Sequence, residues 1–249
     1  MTERTLSLPA SNLAAQRELA AELAEVEQLL LDAMNELFPP FRQMVAAQLR
    51  RNYPLHRAAV VLTAGVAAPD QVAVRSQRIY LAAALEMLHL ALSVHIMMSD
   101  TAAHDPANRS LLGSTILAGD YCFSRSAGLA VRTGNATVVE IFSDALKRVS
   151  EGHLRQLFAP TTTVYDEDRE LFAAGAQAAM ELAATPARAR REILTLVEQF
   201  AQALSAPEDR TPEGRTPEGR AAHPMASDSL LDLHQRERWR ALLQWQHSA

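Results

Sequence analysis

Cysteine is almost absent from this sequence, and its absence limits what can hold the fold together. Cys122 is the only cysteine among 249 residues, so neither a disulfide framework nor a zinc ribbon can form. A chain without disulfides suits a reducing compartment. We predict that the Cys122 thiol is packed inside the protein and is not a reactive nucleophile, because no motif supplies a base for it.

Glycine and aromatic residues are also scarce. The sequence has nine glycines and 5% aromatic residues, whereas 48% of its residues are hydrophobic. Long runs of good helix formers between few breakers favour helices over sheets. The length is enough for one sizeable domain or two small ones. We predict a single all-α bundle.

A concentrated positive charge is missing too. The net charge is -5 with interspersed signs, which argues against a nucleic-acid partner. Residues 1–4 are not followed by a continuous apolar run, so we predict no signal peptide and a cytoplasmic protein. The most apolar stretch, residues 81–98, is about as long as a membrane span. Glu86, His89 and His95 interrupt it, so we interpret it as a buried helix.

Periodic apolar residues and chain breakers divide the sequence into helices. In the first helix, which Pro39 and Pro40 are expected to stop, apolar residues recur at steps of three and four: Leu19, Leu23, Val26, Leu30, Met34 and Leu37. The further helices are predicted at residues 41–51, 55–67, 71–99, 112–132, 136–157, 168–184 and 186–204. The predicted N-caps are Asp70, Asn135 and Thr185. A polar loop is expected at residues 101–109.

The composition changes beyond residue 204. Residues 205–226 are rich in Pro, Glu, Gly and Arg and contain Thr-Pro-Glu-Gly-Arg twice in succession, which is typical of a disordered linker. Residues 227–249 are predicted to form a last helix that Ser227 or Asp228 caps. Its apolar residues must dock on the bundle of residues 1–204 or on another chain. These residues are Trp239, Leu242, Leu243 and Trp245.

Several short motifs resemble one known family in order and spacing. They are Glu86-x-x-His89, His95 with Asp100, Leu117-Ala-Gly-Asp-Tyr121, Glu151-Gly152 with Gln156-Leu157, and Leu171-Phe172. Over about residues 13–204 the chain resembles the trans-isoprenyl diphosphate synthases, or polyprenyl synthetases. The resemblance implies a helical bundle of the isoprenoid synthase type, truncated at its C-terminal side before the second aspartate-rich motif of the family.

The resemblance implies a degenerate first metal motif at His95, Ile96, Met97 and Asp100. In the family, aspartates at the positions of Ile96 and Met97 help to hold magnesium. The alkyl and thioether groups present here are not magnesium ligands. We therefore expect neither a metal nor a catalytic residue at these positions. We expect no cofactor, although the family uses magnesium.

The phosphate-binding residues of the family are also missing. Its Gly-Gly-Lys-x-x-Arg-Pro motif would fall on residues 51–57, which keep none of the signature residues in place. Lys147 is the only lysine of the chain, so lysine ligands for a diphosphate are absent. Glu167 and Asp168 stand where the family has Lys-Thr, which reverses the charge there.

The residue types around residues 87–105 allow two other kinds of site. A metal site of His89, His95, Asp100, His104 and Asp105 is disfavoured, because their spacing does not line one helical face. His89 and His95 are expected to be core or bundle histidines with one hydrogen bond each. Flexible methionines and their neighbours can line a cavity for a prenyl chain, though ordinary core packing is the simpler interpretation. The candidate lining residues are Leu92, Ile96 and Met97.

Three functions remain open from the sequence. The preferred hypothesis is a non-catalytic, regulatory or structural subunit in isoprenoid diphosphate biosynthesis, as a homodimer or as a heterodimer with a complete prenyl diphosphate synthase. The second is an active prenyltransferase with a non-standard site, which needs diphosphate ionisation without the usual metals. The third is a non-enzymatic binder of a prenyl or other apolar ligand.

Overall fold

Helices account for all regular structure in the part of the chain that the computed structural model describes. This part comprises residues 10–51, 54–67, 71–96, 106–158, 165–205 and 229–246. The helices are α1 (Ala10–Met34), α2 (Pro39–Arg51), α3 (His56–Ala64), α4 (Val72–Ile96), α5 (Pro106–Val131), α6 (Ala136–Phe158), α7 (Glu167–Leu182), α8 (Ala187–Ser205) and α9 (Leu233–Gln246). The prediction of an all-α fold is confirmed.

The centre of the bundle is formed by α3 and α4. Eight of the nine residues of α3 are buried, as its all-round apolar sequence predicts. α4 is about 37 Å long and contacts α1, α2, α3, α5 and α7. By length and composition α4 resembles a membrane span, but 72% of its most apolar window is buried inside the bundle. The interpretation of this stretch as a core helix agrees with that burial.

Prolines start two helices that were predicted to begin later in the chain. We expected Pro39 and Pro40 only to stop the first helix, but they form the first turn of α2. α5 begins at Pro106, inside the predicted polar loop. Both corrections have the same reason: the first backbone N–H groups of a helix have no partner within it, so proline is tolerated there.

The predicted caps have different outcomes. Asn135 does cap α6, since its Oδ1 accepts a hydrogen bond from the Val138 N–H at 3.2 Å. The prediction for Thr185 is wrong, because its buried hydroxyl has no hydrogen-bond partner in the described part of the chain. Asp70 lies outside the described residues. α7 is capped by Asp166, whose side chain accepts a hydrogen bond from the Arg169 N–H at 3.0 Å.

The end of α8 and the start of α9 bracket the predicted linker. α8 includes Ser205, and the rest of the predicted linker, with Ser227 and Asp228, lies outside the described residues. The cap of α9 is Asp232, which accepts from the Gln235 N–H at 2.8 Å while its own N–H donates to the Gln235 side chain at 3.1 Å. This reciprocal pairing is a capping box, and it fixes where α9 begins.

α9 docks on α1 and α3 of its own chain. Trp239 and Leu242 are completely buried in that contact. Beside them, Arg238 pairs with Glu22 of α1, and Glu22 also binds Arg78 of α4 at 2.6 Å. Burial lowers the pKa of Arg238, and the charge of Glu22 opposes that effect. A buried ionic cluster therefore accompanies the apolar contact between three helices.

The lone cysteine is packed inside the bundle. Cys122 of α5 is completely buried, and desolvation raises the pKa of its thiol to about 12. Because only the thiolate is a good nucleophile, this side chain is inert at neutral pH. The prediction of a structural thiol is confirmed.

We expect the Trp239→Ala variant to lower the free energy of unfolding by about 3–5 kcal/mol, because it removes a large side chain from a closed contact. Urea denaturation followed by circular dichroism measures this loss. Leu233→Ala is the matched control on the same helix, since Leu233 is 63% exposed, and its effect should stay within about 0.5 kcal/mol. Equal effects of the two variants would show that α9 is not docked as described.

Candidate functional site

The first-motif positions lie at the C-terminal end of α4. The helix ends at Ile96, whose side chain is 48% exposed and offers no oxygen ligand. Met97 and Asp100 lie outside the described residues, as do His104 and Asp105. The described residues at this point therefore do not fit a magnesium ion, which requires hard oxygen ligands.

His95 packs directly on α5. Its ring meets Phe123 edge to face, with the ring centroids 5.2 Å apart, and its Nε2 atom lies 3.6 Å from Asp120 Oδ1. A Cβ atom on Gly119 would overlap the His95 ring, so a larger residue there requires that ring to move. Two of the motifs that carry the family resemblance thus contact one another, and their common role here is helix packing.

A polar cluster lies where α3, α4, α6 and α7 meet, and we call it the Arg57 cluster. Its members are Arg57, Glu86, His89, His153, Glu167 and Asp168. Arg57 lies in the first turn of α3, and its two terminal nitrogens lie 3.3 Å from Glu86 Oε2 and 2.6 Å from Asp168 Oδ1. Arg57 and Glu86 are 5% and 2% exposed, so this ion pair belongs to the core.

Glu86 ties α4 to the start of α3. Besides the ion pair with Arg57, its Oε1 atom accepts a hydrogen bond from the Ala58 N–H at 2.9 Å. That N–H belongs to the first turn of α3, where backbone donors have no partner within the helix. One carboxylate thus satisfies both a buried guanidinium and a helix terminus.

The hydrogen bonds of His89 define its tautomer. Arg57 can only donate, so His89 Nε2, 3.0 Å from the guanidinium, accepts. The ring proton therefore lies on Nδ1, which donates to Glu167 Oε1 at 2.9 Å. Ser93 Oγ, one turn further along α4, lies 3.3 Å from Nε2. His89 is a neutral bridge between a cation and a carboxylate.

Glu167 connects two histidines on different helices. Its Oε2 atom lies 2.9 Å from His153 Nε2 of α6, while Oε1 binds His89 of α4. Burial by itself raises the pKa of Glu167, but the hydrogen bonds from His89 and then His153 outweigh that effect, so the pKa is lowered. Glu167 and Asp168 also begin α7, where the helix dipole favours negative charge.

The ligand types in the Arg57 cluster can hold a metal. One candidate atom each from His89, Glu167 and Asp168 lies within 4.8 Å of the other two. His89 and His95 were expected to be metal-ligand candidates of one group, but they contact different neighbours: α3 and α7 for His89 and α5 for His95. Glu167 and Asp168, considered only as a charge reversal, are the residues that join His89.

The predicted cavity-lining residues have unlike environments. Leu92 is buried in the core, Ile96 is half-exposed, and Met97 lies outside the described residues. Of the cavities in the described part of the chain, one of about 350 Å³ lies between α1, residues 54–55 and Trp245, and one of about 280 Å³ lies beside Pro186. The apolar cavity at Leu92, Ile96 and Met97 stays a prediction.

α9 reaches the start of α3 through aromatic contacts. The His56 ring centroid lies 5.6 Å from that of Trp245 of α9 and 6.0 Å from that of Phe200 of α8. Burial, and secondarily the charge of Arg57, lowers the pKa of His56 to about 4. His56 is therefore a neutral packing residue next to Arg57.

Sequence reasoning missed most of the Arg57 cluster. The available signal was a charged residue within an apolar helix: Arg57 precedes a buried apolar run, and Glu86 lies among alanines and leucines. Buried charges need partners. The partner Asp168 is 111 residues from Arg57, so local periodicity could not identify it.

Gly119→Ala should lower the free energy of unfolding by about 1–3 kcal/mol, because the new methyl group must displace the His95 ring or α5 itself. Thermal and urea unfolding measure the loss. Gly128→Ala, on the same helix, is the control: a Cβ atom there meets nothing within 4 Å, so higher helix propensity should stabilise by up to about 1 kcal/mol. Stabilisation by both changes would contradict the described contact.

His56→Phe should reduce the loss of stability between pH 7 and pH 5. In this range the unfolded chain protonates His56, whose ordinary pKa is 6.5, while the folded protein with a pKa of about 4 does not. The unfolded state then binds more protons, so stability falls as the pH falls. Urea unfolding of both proteins at pH 7 and pH 5 tests this, and equal losses would rule out a depressed pKa at His56.

No family profile and no curated protein sequence matches the chain. Solved structures do match. The decaprenyl diphosphate synthase from Rhodobacter capsulatus has a TM-score of 0.61 at 18% identity, over 94% of this chain and 85% of that one. The geranylgeranyl pyrophosphate synthase from Lactobacillus brevis ATCC 367 has a TM-score of 0.59 at 18% identity, over 93% of this chain and 84% of that one.

A third match is the polyprenyl synthase from Caulobacter crescentus CB15, solved with calcium and isoprenyl diphosphate. It has a TM-score of 0.57 at 25% identity, over 76% of this chain and 61% of that one. These similarities agree with the helical bundle that the motifs imply. The chain has the fold of the trans-isoprenyl diphosphate synthases.

Proposed function

We propose that this chain is a non-catalytic, polyprenyl-synthetase-like subunit in isoprenoid diphosphate biosynthesis. It acts by packing against a complete prenyl diphosphate synthase and changing the rate or the product length of that enzyme. It needs no magnesium for this role. The proposal is supported most by the charges of the Arg57 cluster.

The Arg57 cluster is poorly suited to binding a diphosphate. It contains three carboxylates and a single permanently charged cation, and that cation is held by Glu86 and Asp168. A diphosphate would bring further negative charge to carboxylates in a partly dry site, where like charges repel strongly. To bind it, Arg57 would have to leave Glu86 as an unpaired buried charge, which is costly.

No lysine can replace Arg57 as the cation that binds a diphosphate. Lys147, the only lysine of the chain, is exposed on α6 and is not part of the Arg57 cluster. Ile96, at the described end of the first motif, adds no ligand for a metal that could neutralise a diphosphate. Together these features favour a scaffold role over an altered active site.

Surface residues are available for a partner. Ile116, Leu117 and Val131 of α5 are between 40% and 63% exposed, although they are large and apolar. Exposed apolar residues on one helix are compatible with a subunit interface. They support an assembly role for α5, either with a second copy or with a complete synthase.

The test is incorporation of labelled isopentenyl diphosphate, with magnesium and an allylic diphosphate, by the chain alone and by its mixture with a complete synthase. We expect no turnover by the chain alone and a changed rate or product length in the mixture. A pair of charge substitutions at the exposed residues, Leu117→Glu and Val131→Glu, should abolish the effect in the mixture without unfolding the chain. Turnover by the chain alone, or a mixture identical to the synthase alone, would refute the proposal.

A variant with added metal ligands tests whether the loss of the first motif alone would prevent turnover, or whether the Arg57 cluster also prevents it. Ile96→Asp with Met97→Asp adds two carboxylates but leaves the Arg57 cluster unchanged. We expect this variant to remain inactive, because the excess of carboxylates still repels a diphosphate. Measurable turnover in the variant would mean that the loss of the first motif alone explains the silent site.

A further inference from the structure

The Arg57 cluster has an excess of negative charge. Glu86, Glu167 and Asp168 contribute three carboxylates, and Arg57 contributes one permanent positive charge. His89 is neutral in its hydrogen-bonded tautomer. The side chains of Glu86 and Glu167 are only 1% and 12% exposed, so solvent screens these two charges poorly, whereas Asp168 is 50% exposed. A site of this kind favours a bound cation.

The ligand atoms of the cluster converge on a point beside α7. His89 Nδ1 lies 2.9 Å from Glu167 Oε1 and 4.0 Å from Asp168 Oδ1. In a tetrahedral zinc site with bonds of about 2.0–2.1 Å, neighbouring ligand atoms lie roughly 3.4 Å apart. His89 Nδ1 must therefore move about 0.5 Å away from Glu167 Oε1 and about 0.5 Å closer to Asp168 Oδ1.

His153 lies beside this group of three residues and has to move towards it to become a fourth ligand. Its Nε2 atom lies 2.9 Å from the other oxygen of Glu167, and its side chain is 35% exposed, so it lies at the solvent edge of the cluster. Both histidines now hydrogen-bond to one carboxylate. A metal ion can replace such protons, because it binds the same nitrogen and oxygen lone pairs.

We propose that His89, His153, Glu167 and Asp168 form a binding site for a divalent transition-metal ion of the zinc type. Two imidazoles and two carboxylates favour zinc or cobalt over magnesium and calcium, which prefer oxygen ligands alone. The ion neutralises the excess charge of the cluster. It also links α4, α6 and α7, so its role is structural.

Arg57 must rearrange when the ion binds. With Nδ1 on the metal, the neutral His89 ring carries its proton on Nε2, which now faces the Arg57 guanidinium. Ser93 Oγ, 3.3 Å from Nε2, can accept that proton. Arg57 can turn towards Glu86, since their present separation of 3.3 Å leaves room for a closer pair. Ser93 would thereby become the outer partner that a metal-bound histidine needs.

The test of this proposal is spectroscopic and requires no enzyme activity, so its result is separate from the test of the proposed silent role. The full chain is stripped with a chelator, dialysed and titrated with Co²⁺ while the visible absorption is recorded. Calorimetry with Zn²⁺ gives the stoichiometry. We expect one equivalent of Co²⁺ to develop the strong absorption of a four- or five-coordinate site, and Zn²⁺ to abolish it.

Variants assign the site to its residues. Glu167→Gln and His153→Gln should each weaken Zn²⁺ binding by more than about 100-fold, and Ser93→Ala by roughly 10–100-fold. Glu170→Gln, on the same helix as Glu167 but paired with Arg148, is the matched control and should bind normally. Circular dichroism checks that each variant is folded, and His153 is exposed enough for its replacement to be tolerated.

Two outcomes would overturn the metal site. One is a cobalt spectrum that remains that of the hydrated ion at every ratio. The other is Zn²⁺ binding by His153→Gln and Glu167→Gln that equals binding by the original chain, which would place the ion elsewhere. Neither outcome bears on prenyl transfer, so the two proposals fail separately.

Discussion

The architecture depends on how two charges inside α4 are neutralised. Arg78 and Glu86 lie eight residues apart, about 12 Å along the central helix, and both are almost completely buried. Glu22 of α1 neutralises Arg78, and Arg57 of α3 neutralises Glu86. An unpaired charge at either position would cost several kcal/mol, so α1 and α3 are held at fixed heights along α4. Each pair then recruits one more element: Glu22 binds α9 through Arg238, and Arg57 binds α7 through Asp168.

The helices were largely predictable because their signals are local. The stripe from Leu19 to Leu37 and the cap at Asn135 depend on residues three or four positions apart, and the structure agrees with both. Helix starts at proline were misplaced, because Pro39 can be read either as a stop or as a first turn. The Arg57 cluster was not predictable in the same way. Its charged members come from separate helices, and only the three-dimensional packing shows that Asp168 reaches Arg57.

The residues that set the distances between helices differ from those that set the charge of the site. Gly119 leaves space for His95, and Gly175 leaves space for Leu85 and Val61, so these glycines preserve helix distances without taking part in any reaction. In contrast, the Arg57 cluster has carboxylates in the first turn of α7. The helix dipole favours negative charge there, and Asp166 caps this end of the helix. Bundle geometry and site charge are thus set by different residues, and the second can change while the first persists.

The contact between α9 and α1 has a consequence for the order in which the protein matures. Arg238 and Glu22 are 216 residues apart, and Gln244 binds Gln16 across 228 residues. During synthesis α1, α3 and α4 emerge long before α9. The ion pair of Glu22 with Arg78 can already join α1 to α4 without leaving either charge unpaired. A nascent chain can therefore assemble most of its bundle while an apolar groove between α1 and α3 stays open for Trp239. Until α9 arrives, the surface of α1 and α3 that Trp239 covers stays exposed to solvent.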